Sequence, residues 1–501
     1  MKRFPTAHTV LLLIAALVAI ATWFLPAGKF EQLKYVAHEN KDSLGSFVHI
    51  SQAGEATFAA SQATLDKFGI KAELEKFTNG AIWKPVGIPG TYYKIEPNPQ
   101  GVYEFVKSPL QGITEAIDVI LFVLILGGFI GIVHYTGAFD AGIGSLAKSL
   151  RGREKLLIVL ITSLIALGGT TFGLAEETIA FYPILVPIFI VAGYDAMVAL
   201  AAIYIGSSIG TMISTVNPFS AIIASNAAGI NWTSGLYGRI IFLVLGTAFC
   251  IWYIIRYAEK VRKNPERSII YAQKAEIEAK FAVDKEKEVE FGARISLTLI
   301  VFAMAFVVMI IGVSALGWWF MEMTMIFLVA AVLVGFIAAV PEKKFVEQFV
   351  KGANELLNVA LIIGIARGIT WLMEEGAVSD TLLYYSSSAV EGMPKGLFVN
   401  AMLFVYAGLS FFIPSSSGLA VLSMPIMAPL GDVVDVPREL VVNAYQYGMG
   451  LMAFITPTGL ILASLTMVNV TYDKWLKFVL PLLGWLTLIT MAVLTAQVYL
   501  S

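Results

Sequence analysis

"GGTTFGLAEETIAFYP" (Gly168–Pro183) sits between two apolar segments, Leu156–Leu167 and Ile184–Ala192. Glu176 and Glu177 stand side by side in it. A carboxylate at membrane depth is costly and marks a functional site by default. The arms 156–167 and 174–191 are each short for a span, which takes about 20 apolar residues. The glycines and hydroxyls between them predict a re-entrant hairpin over 156–191. Broken backbone at that depth must be buried in protein or line a wet cavity.

The rest of the chain supports a membrane setting. Of 501 residues, 57% are hydrophobic and 14% charged, against roughly 25% charged in soluble domains. The net charge of -2 gives no reason to expect nucleic acid. A lone cysteine, Cys250, excludes an internal disulfide framework. The four histidines (His8, His38, His49, His134) lack metal-ligand spacing. No HExxH motif is present and Ser416 has no evident base, so an enzyme is not expected. The run Val10–Leu25 follows Lys2 and Arg3 without a small-residue cleavage site, and reads as a retained first helix with its N-terminus in the cytoplasm.

An internal repeat relates the two halves of the chain. "QGITEAIDV" (Gln111–Val119) matches "KGANELLNV" (Lys351–Val359), and "TGAFD" (Thr136–Asp140) is echoed by "EGAVSD" (Glu375–Asp380). "GLAEETIAFYPILVP" (Gly173–Pro187) pairs with "GLAVLSMPIMAP" (Gly418–Pro429), and "NPFSAIIAS" (Asn217–Ser225) with "TPTGLILAS" (Thr456–Ser464). Four matches in one order, offset by roughly 240 residues, are not the chance likeness of apolar segments. Counting helices gives the copies opposite orientations, the architecture of secondary transporters.

The expected fold is therefore an all-α polytopic membrane protein of two inverted-topology repeats, each with a re-entrant hairpin and a broken helix. A first transmembrane helix (1–28) leads to an extracytoplasmic segment (29–110), too short and polar for a large core. The first repeat (111–258) holds hairpin 156–191 and broken helix 196–231. A cytoplasmic charged connector (259–293), read as a solvated face, and scaffold helices (294–345) precede the second repeat (346–501), with hairpin 398–430 and broken helix 440–470. The loop bearing Lys148, Arg151, Arg153 and Lys155 is basic, as a cytoplasmic loop should be.

The four discontinuities should converge, bringing Thr170, Thr171, Ser214, Thr215, Asn217, Ser415, Ser416, Ser417, Thr456 and Thr458 together. Half-helix ends offer N–H groups to anions and carbonyls to cations. Glu176 and Glu177 lie about 100° apart on a helix, so one faces a ligand better than the other. Arg367, deep in "IIGIARGITW", either clamps a carboxylate through two bonds or neutralises Glu176 or Glu177. Asn443 and Gln446 are weaker candidates.

These motifs, with "PSSSGLAVLSMPIMAPLGD" (Pro414–Asp432), resemble the YfcC-type branch of the C4-dicarboxylate anaerobic carrier family, of the ion-transporter superfamily. The resemblance implies a homodimer in the bacterial inner membrane, with a fixed scaffold and a transport domain moving as an elevator. It implies a secondary carrier for organic anions or amino acids, with no cofactor and with Na+ or H+ as candidate coupling ions. Superfamily sodium sites use an Asn- and Thr-bearing turn in each half. Asn217 and Thr456 sit at the matching breaks, with Ser214 and Thr215 beside the first, although "TVNPF" and "ITPTG" depart from that pattern. One buried cation and two carboxylates favour a basic amino acid such as arginine or ornithine over a dicarboxylate. Arg367 would take the α-carboxylate, and Glu177 or Glu176 the amine.

Overall fold

The computed structural model describes residues 5–37, 45–79, 82, 85–139, 141–142, 145, 153–281, 292–316 and 318–500. Lys2, Arg3, His38, Lys148, Arg151 and the distal connector lie outside these residues. Among the described residues nine helices are long and apolar enough to cross a bilayer, and Ala7–Ala21 and Ala196–Met212 are shorter apolar helices. The last helix, Tyr472–Leu500, turns Trp475, Phe478 and Leu482 inward and leaves Leu480, Trp485 and Leu488 exposed. A helix apolar all round suits lipid on one side and protein on the other.

The chain is not all-α. A short ribbon pairs β1 (Gly28–Lys29) with β6 (Tyr93–Lys94). Strands β2 (Gln32–Val36), β3 (Ser46–Ser51), β4 (Gly54–Ala59) and β5 (Val86–Gly87) form a separate antiparallel sheet in the order β4-β3-β2-β5. This segment also buries more than its polarity promises: Leu33, Phe47, Leu65 and Phe77 are all inaccessible. The reason is that its core is continuous with that of the helices. Phe30 N–H donates to Asp380 Oδ2 at 3.0 Å, and Tyr92 stacks on Tyr384 at 4.1 Å. Gly87 of β5 lies against Ile426 of the helix Ser416–Val433.

Helix already begins within the segment expected to be extracytoplasmic (29–110). Val102–Glu115 is helical, opened by Glu104, whose carboxylate accepts the Gly101 N–H at 2.8 Å. After Ala116 the chain continues as Ile117–Tyr135. The long helix Glu342–Glu375 crosses both at glycines. A Cβ on Gly112 would collide with the Gly364 carbonyl, one on Gly368 with the Ser108 carbonyl, and one on Gly352 with the Gly127 carbonyl. Small residues let backbones approach this closely.

Two hairpins and two broken helices complete the centre. The first hairpin is Glu154–Phe172, a tip at 173–175, a 3-10 turn Glu176–Phe181 and Tyr182–Val191. The second is Lys395–Phe412, a tip at 413–415 and Ser416–Val433. Ala196–Met212 breaks and resumes at Pro218, and Arg438–Ala453 breaks and resumes at Ile461. Pro218 fits there because it lacks a backbone donor.

The described part of the connector, up to residue 281, is docked rather than solvated. Ile270 and Ile277 are buried. Ser268 donates to Asp195 Oδ2 at 2.5 Å, Lys280 to the Met467 carbonyl at 2.8 Å, and Asn469 to Glu276 at 2.8 Å. It therefore holds the start of one broken helix and the end of the other. At the opposite end Arg438 donates to the Ala228 carbonyl at 2.6 Å, joining the start of the second broken helix to the end of the first.

Candidate functional site

Both tips and both breaks meet at one cavity of about 510 Å³. The first tip turns at Gly173, whose φ of +78° is strained for any residue with a side chain. A Cβ there would also press on the Asn217 amide at 2.9 Å. The turn lets Glu177 fold back, so that its carboxylate accepts the Ala175 N–H at 3.0 Å. Ser207 Oγ donates to the Leu174 carbonyl at 2.6 Å, clasping this tip to the first broken helix. At the second tip Tyr445 donates to the Ser416 carbonyl at 2.7 Å, and Ser415 Oγ accepts the Gly418 N–H at 3.2 Å. Tyr204 donates to the Ala453 carbonyl at 2.8 Å and ties the two broken helices together.

Nine of the candidates line the cavity: Glu176, Glu177, Asn217, Arg367, Ser415, Ser416, Ser417, Thr456 and Thr458. Asn217 is already engaged. Its Oδ1 accepts the Phe219 N–H at 2.9 Å, and its Nδ2 donates to Ser214 Oγ at 3.1 Å. Thr456 and Thr458 share a 2.7 Å hydrogen bond, and Thr458 donates to the Phe411 carbonyl at 2.9 Å.

Thr170, Thr171, Ser214 and Thr215 are not in the cavity wall. Thr170 Oγ1 donates to the Ile213 carbonyl at 2.7 Å and accepts the Thr215 N–H at 2.9 Å, so this pair is a joint between hairpin and break. Thr171 bonds back to the Leu167 carbonyl at 2.6 Å within its own helix, and Ser214 to the Thr211 carbonyl at 2.7 Å. A short hydroxyl at a helix end finds backbone acceptors nearby, which the sequence does not distinguish from a ligand site.

Arg367 pairs with neither Glu176 nor Glu177. Its Nε lies 3.4 Å from Glu115 Oε2, both side chains about a third exposed or less (32% and 27%). Glu115 and Asp118 line the cavity, with Tyr204, Trp319, Tyr445 and Gln446, and none of these stood among the principal candidates. Both acids lie in "QGITEAIDV", legible as a repeat marker only. The cavity wall thus carries four carboxylates (Glu115, Asp118, Glu176, Glu177) against one guanidinium.

A helical bundle with broken helices around a central cavity that carries charged side chains in its wall is the build of a membrane transporter. The family model for the C4-dicarboxylate anaerobic carriers matches residues 4–499, and the chain belongs to that family. An uncharacterized protein of Haemophilus influenzae is 43% identical over 99% of this chain and 97% of its own. YfcC of Escherichia coli, by provisional name a basic amino acid antiporter, is 31% identical over 98% of this chain and 95% of its own. Two solved structures are similar over nearly the full length. The YdaH transporter of Alcanivorax borkumensis is 12% identical, with TM-score 0.41 and 99% of each chain covered. MtrF of Neisseria gonorrhoeae, from a class of antimetabolite efflux pumps, is 14% identical with TM-score 0.41, covering 99% of this chain and 96% of its own. The protein is a multi-pass membrane carrier, not an enzyme.

Proposed function

We propose that the protein is a secondary active exchanger of small, charged, carboxylate-bearing metabolites, and that its substrate is a basic amino acid such as arginine or ornithine. The charge of the cavity carries this reading. Arg367 is balanced by Glu115, which leaves Asp118, Glu176 and Glu177 as a surplus of negative charge. Like charges at low dielectric favour a bound cation. Glu177, with Glu176 beside it, takes the substrate's cationic group. Arg367 takes the α-carboxylate in exchange for Glu115.

The mechanism is an elevator built on inverted repeats. The glycine crossings support it. Gly112 and Gly352 are equivalent repeat positions, and each meets the other copy's helix about four turns on, at Gly368 and Gly127. Such reciprocity is what two repeats related by a pseudo-two-fold axis would give, in keeping with inverted repeats. The connector end is basic, with Lys155, Arg262, Lys263 and Lys477, and is assigned to the cytoplasm; the sheet lies outside. The protein works as a homodimer in the inner membrane. Of the coupling-ion set Ser214, Thr215, Asn217 and Thr456, the last two line the cavity, where Na+ would compete with the hydrogen bonds they already make, while H+ has the carboxylates.

A second reading is a C4-dicarboxylate carrier coupled to Na+ or H+, favoured by the family's description and by the guanidinium in the cavity wall. Uptake of labelled arginine and succinate into proteoliposomes, each with and without a sodium gradient, separates the two. Arginine uptake stimulated by internal ornithine supports the first; succinate uptake alone supports the second.

A further inference from the structure

Most polar groups that line the cavity are spoken for: Tyr204, Ser207, Asn217, Tyr445, Thr456 and Thr458 all hold protein partners. Gln446 is different. It lies in the second broken helix, next to the tyrosine that clasps the Ser416 tip, and is 2% exposed. Neither its Oε1 nor its Nε2 has a hydrogen-bond partner among the described residues. A buried primary amide left unpaired at both ends forfeits its bonds to water for nothing in return. An apolar side chain of the same size would fill the place at lower free energy.

We infer that the Gln446 amide is a specificity-determining ligand for the head of an α-amino acid, with Nε2 donating to the carboxylate and Oε1 accepting from the ammonium. The inference rests on the basic-amino-acid reading and narrows it. An amide has adjacent donor and acceptor, and an amino acid head presents the complementary pair on one carbon. A dicarboxylate presents acceptors only, and would leave Oε1 unpaired in the closed site. Sites built around such a polar group discriminate strongly against ligands that cannot pair it. Gln446 would then read the head, while Glu176 and Glu177 read the cationic tail.

The test uses purified full-length protein in detergent, with binding followed by thermal stabilisation and by competition with labelled arginine. The probes are arginine and agmatine, which keeps the cationic tail and lacks the carboxylate. Gln446→Met should leave the ligand-free midpoint unchanged or raised, weaken arginine by at least about tenfold, and weaken agmatine, which keeps the ammonium but has no carboxylate for Nε2, by less than arginine. A lowered ligand-free midpoint would make the residue structural and overturn the inference. So would unchanged arginine affinity, or equal losses for arginine and agmatine, with the wild type binding arginine normally. Wild-type protein that ignores arginine and binds succinate would instead overturn the substrate reading, and this inference with it. Gln446→Glu, which keeps the acceptor and shape but loses the donor, should retain agmatine and lose arginine; retention of both would also contradict the inference.

Discussion

Arg367 Nε and Glu115 Oε2 stand 3.4 Å apart on the cavity wall, joining the long helix Glu342–Glu375 to the end of Val102–Glu115. The pair is intrahelical in neither element and fixes the charge that a ligand meets. Glu115→Gln should free Arg367 for an external carboxylate. A charge-assisted hydrogen bond is worth about 1.5–3 kcal/mol, so affinity for carboxylate ligands, arginine among them, should rise roughly ten- to a hundredfold. Arg367→Gln in the same background should cancel the gain. Competition binding on the two variants checks both.

The Thr170–Thr215 joint is structural. Thr170→Val removes the bond to the Ile213 carbonyl and one of two acceptors for the Thr215 N–H, which keeps the Thr170 carbonyl at 3.1 Å. The expected cost is about 1–3 kcal/mol, seen as a lower unfolding midpoint with substrate affinity unchanged. Thr171→Val, whose hydroxyl only bonds back within its helix, should be near neutral in the same measurement.

The helix crossing tolerates no side chain at its closest point. Gly368→Ala drives a methyl group into the Ser108 backbone, and overpacking of this kind costs about 1–3 kcal/mol or more. Gly408 is the control, since a Cβ there meets nothing within 4 Å. Gly408→Ala should be neutral or stabilising by about 0.5–1 kcal/mol, as for glycine in a helix interior. Thermal unfolding of the two variants side by side reads the difference.

The clasp between sheet and helices depends on pH through Asp380. Burial raises the Asp380 carboxyl above the ordinary aspartate range, more than the Phe30 N–H bond and nearby Lys29 lower it. The folded state therefore holds the proton more tightly than the unfolded one. Its contribution to stability is present below the ordinary value of about 3.9 and is lost as pH rises through the raised folded value. Asp380→Asn keeps an acceptor for Phe30 and removes the charge. Its unfolding midpoint should match wild type in acid and exceed it at neutral pH.

The repeat motifs carried most of the central architecture, because a break needs residues that the sequence displays openly: "NPFS", "TPTG", "PSSSG" and the glycines of the first tip. The hidden features depend on contacts between distant segments. Glu115 looks like any acid in a repeat marker until the helix carrying Arg367 crosses it. The docked connector and the shared core of the sheet are equally invisible in sequence, since each buries residues against a surface the segment does not itself contain. Thr170 and Thr171 are neighbours of the same chemistry; only the first meets Thr215. Gln446 is no more than a weaker candidate in sequence because an amide in a helix is ordinary until its partners are sought and not found.

Whether a surplus of cavity carboxylates reads a cationic substrate is decided by equilibrium binding of labelled arginine to purified protein. Arginine should bind, ornithine should displace it, succinate should not, and Glu177→Gln should weaken it by about tenfold or more. Succinate binding that survives Glu177→Gln and fails in Arg367→Gln would contradict the cationic-substrate reading and establish the dicarboxylate reading in its place.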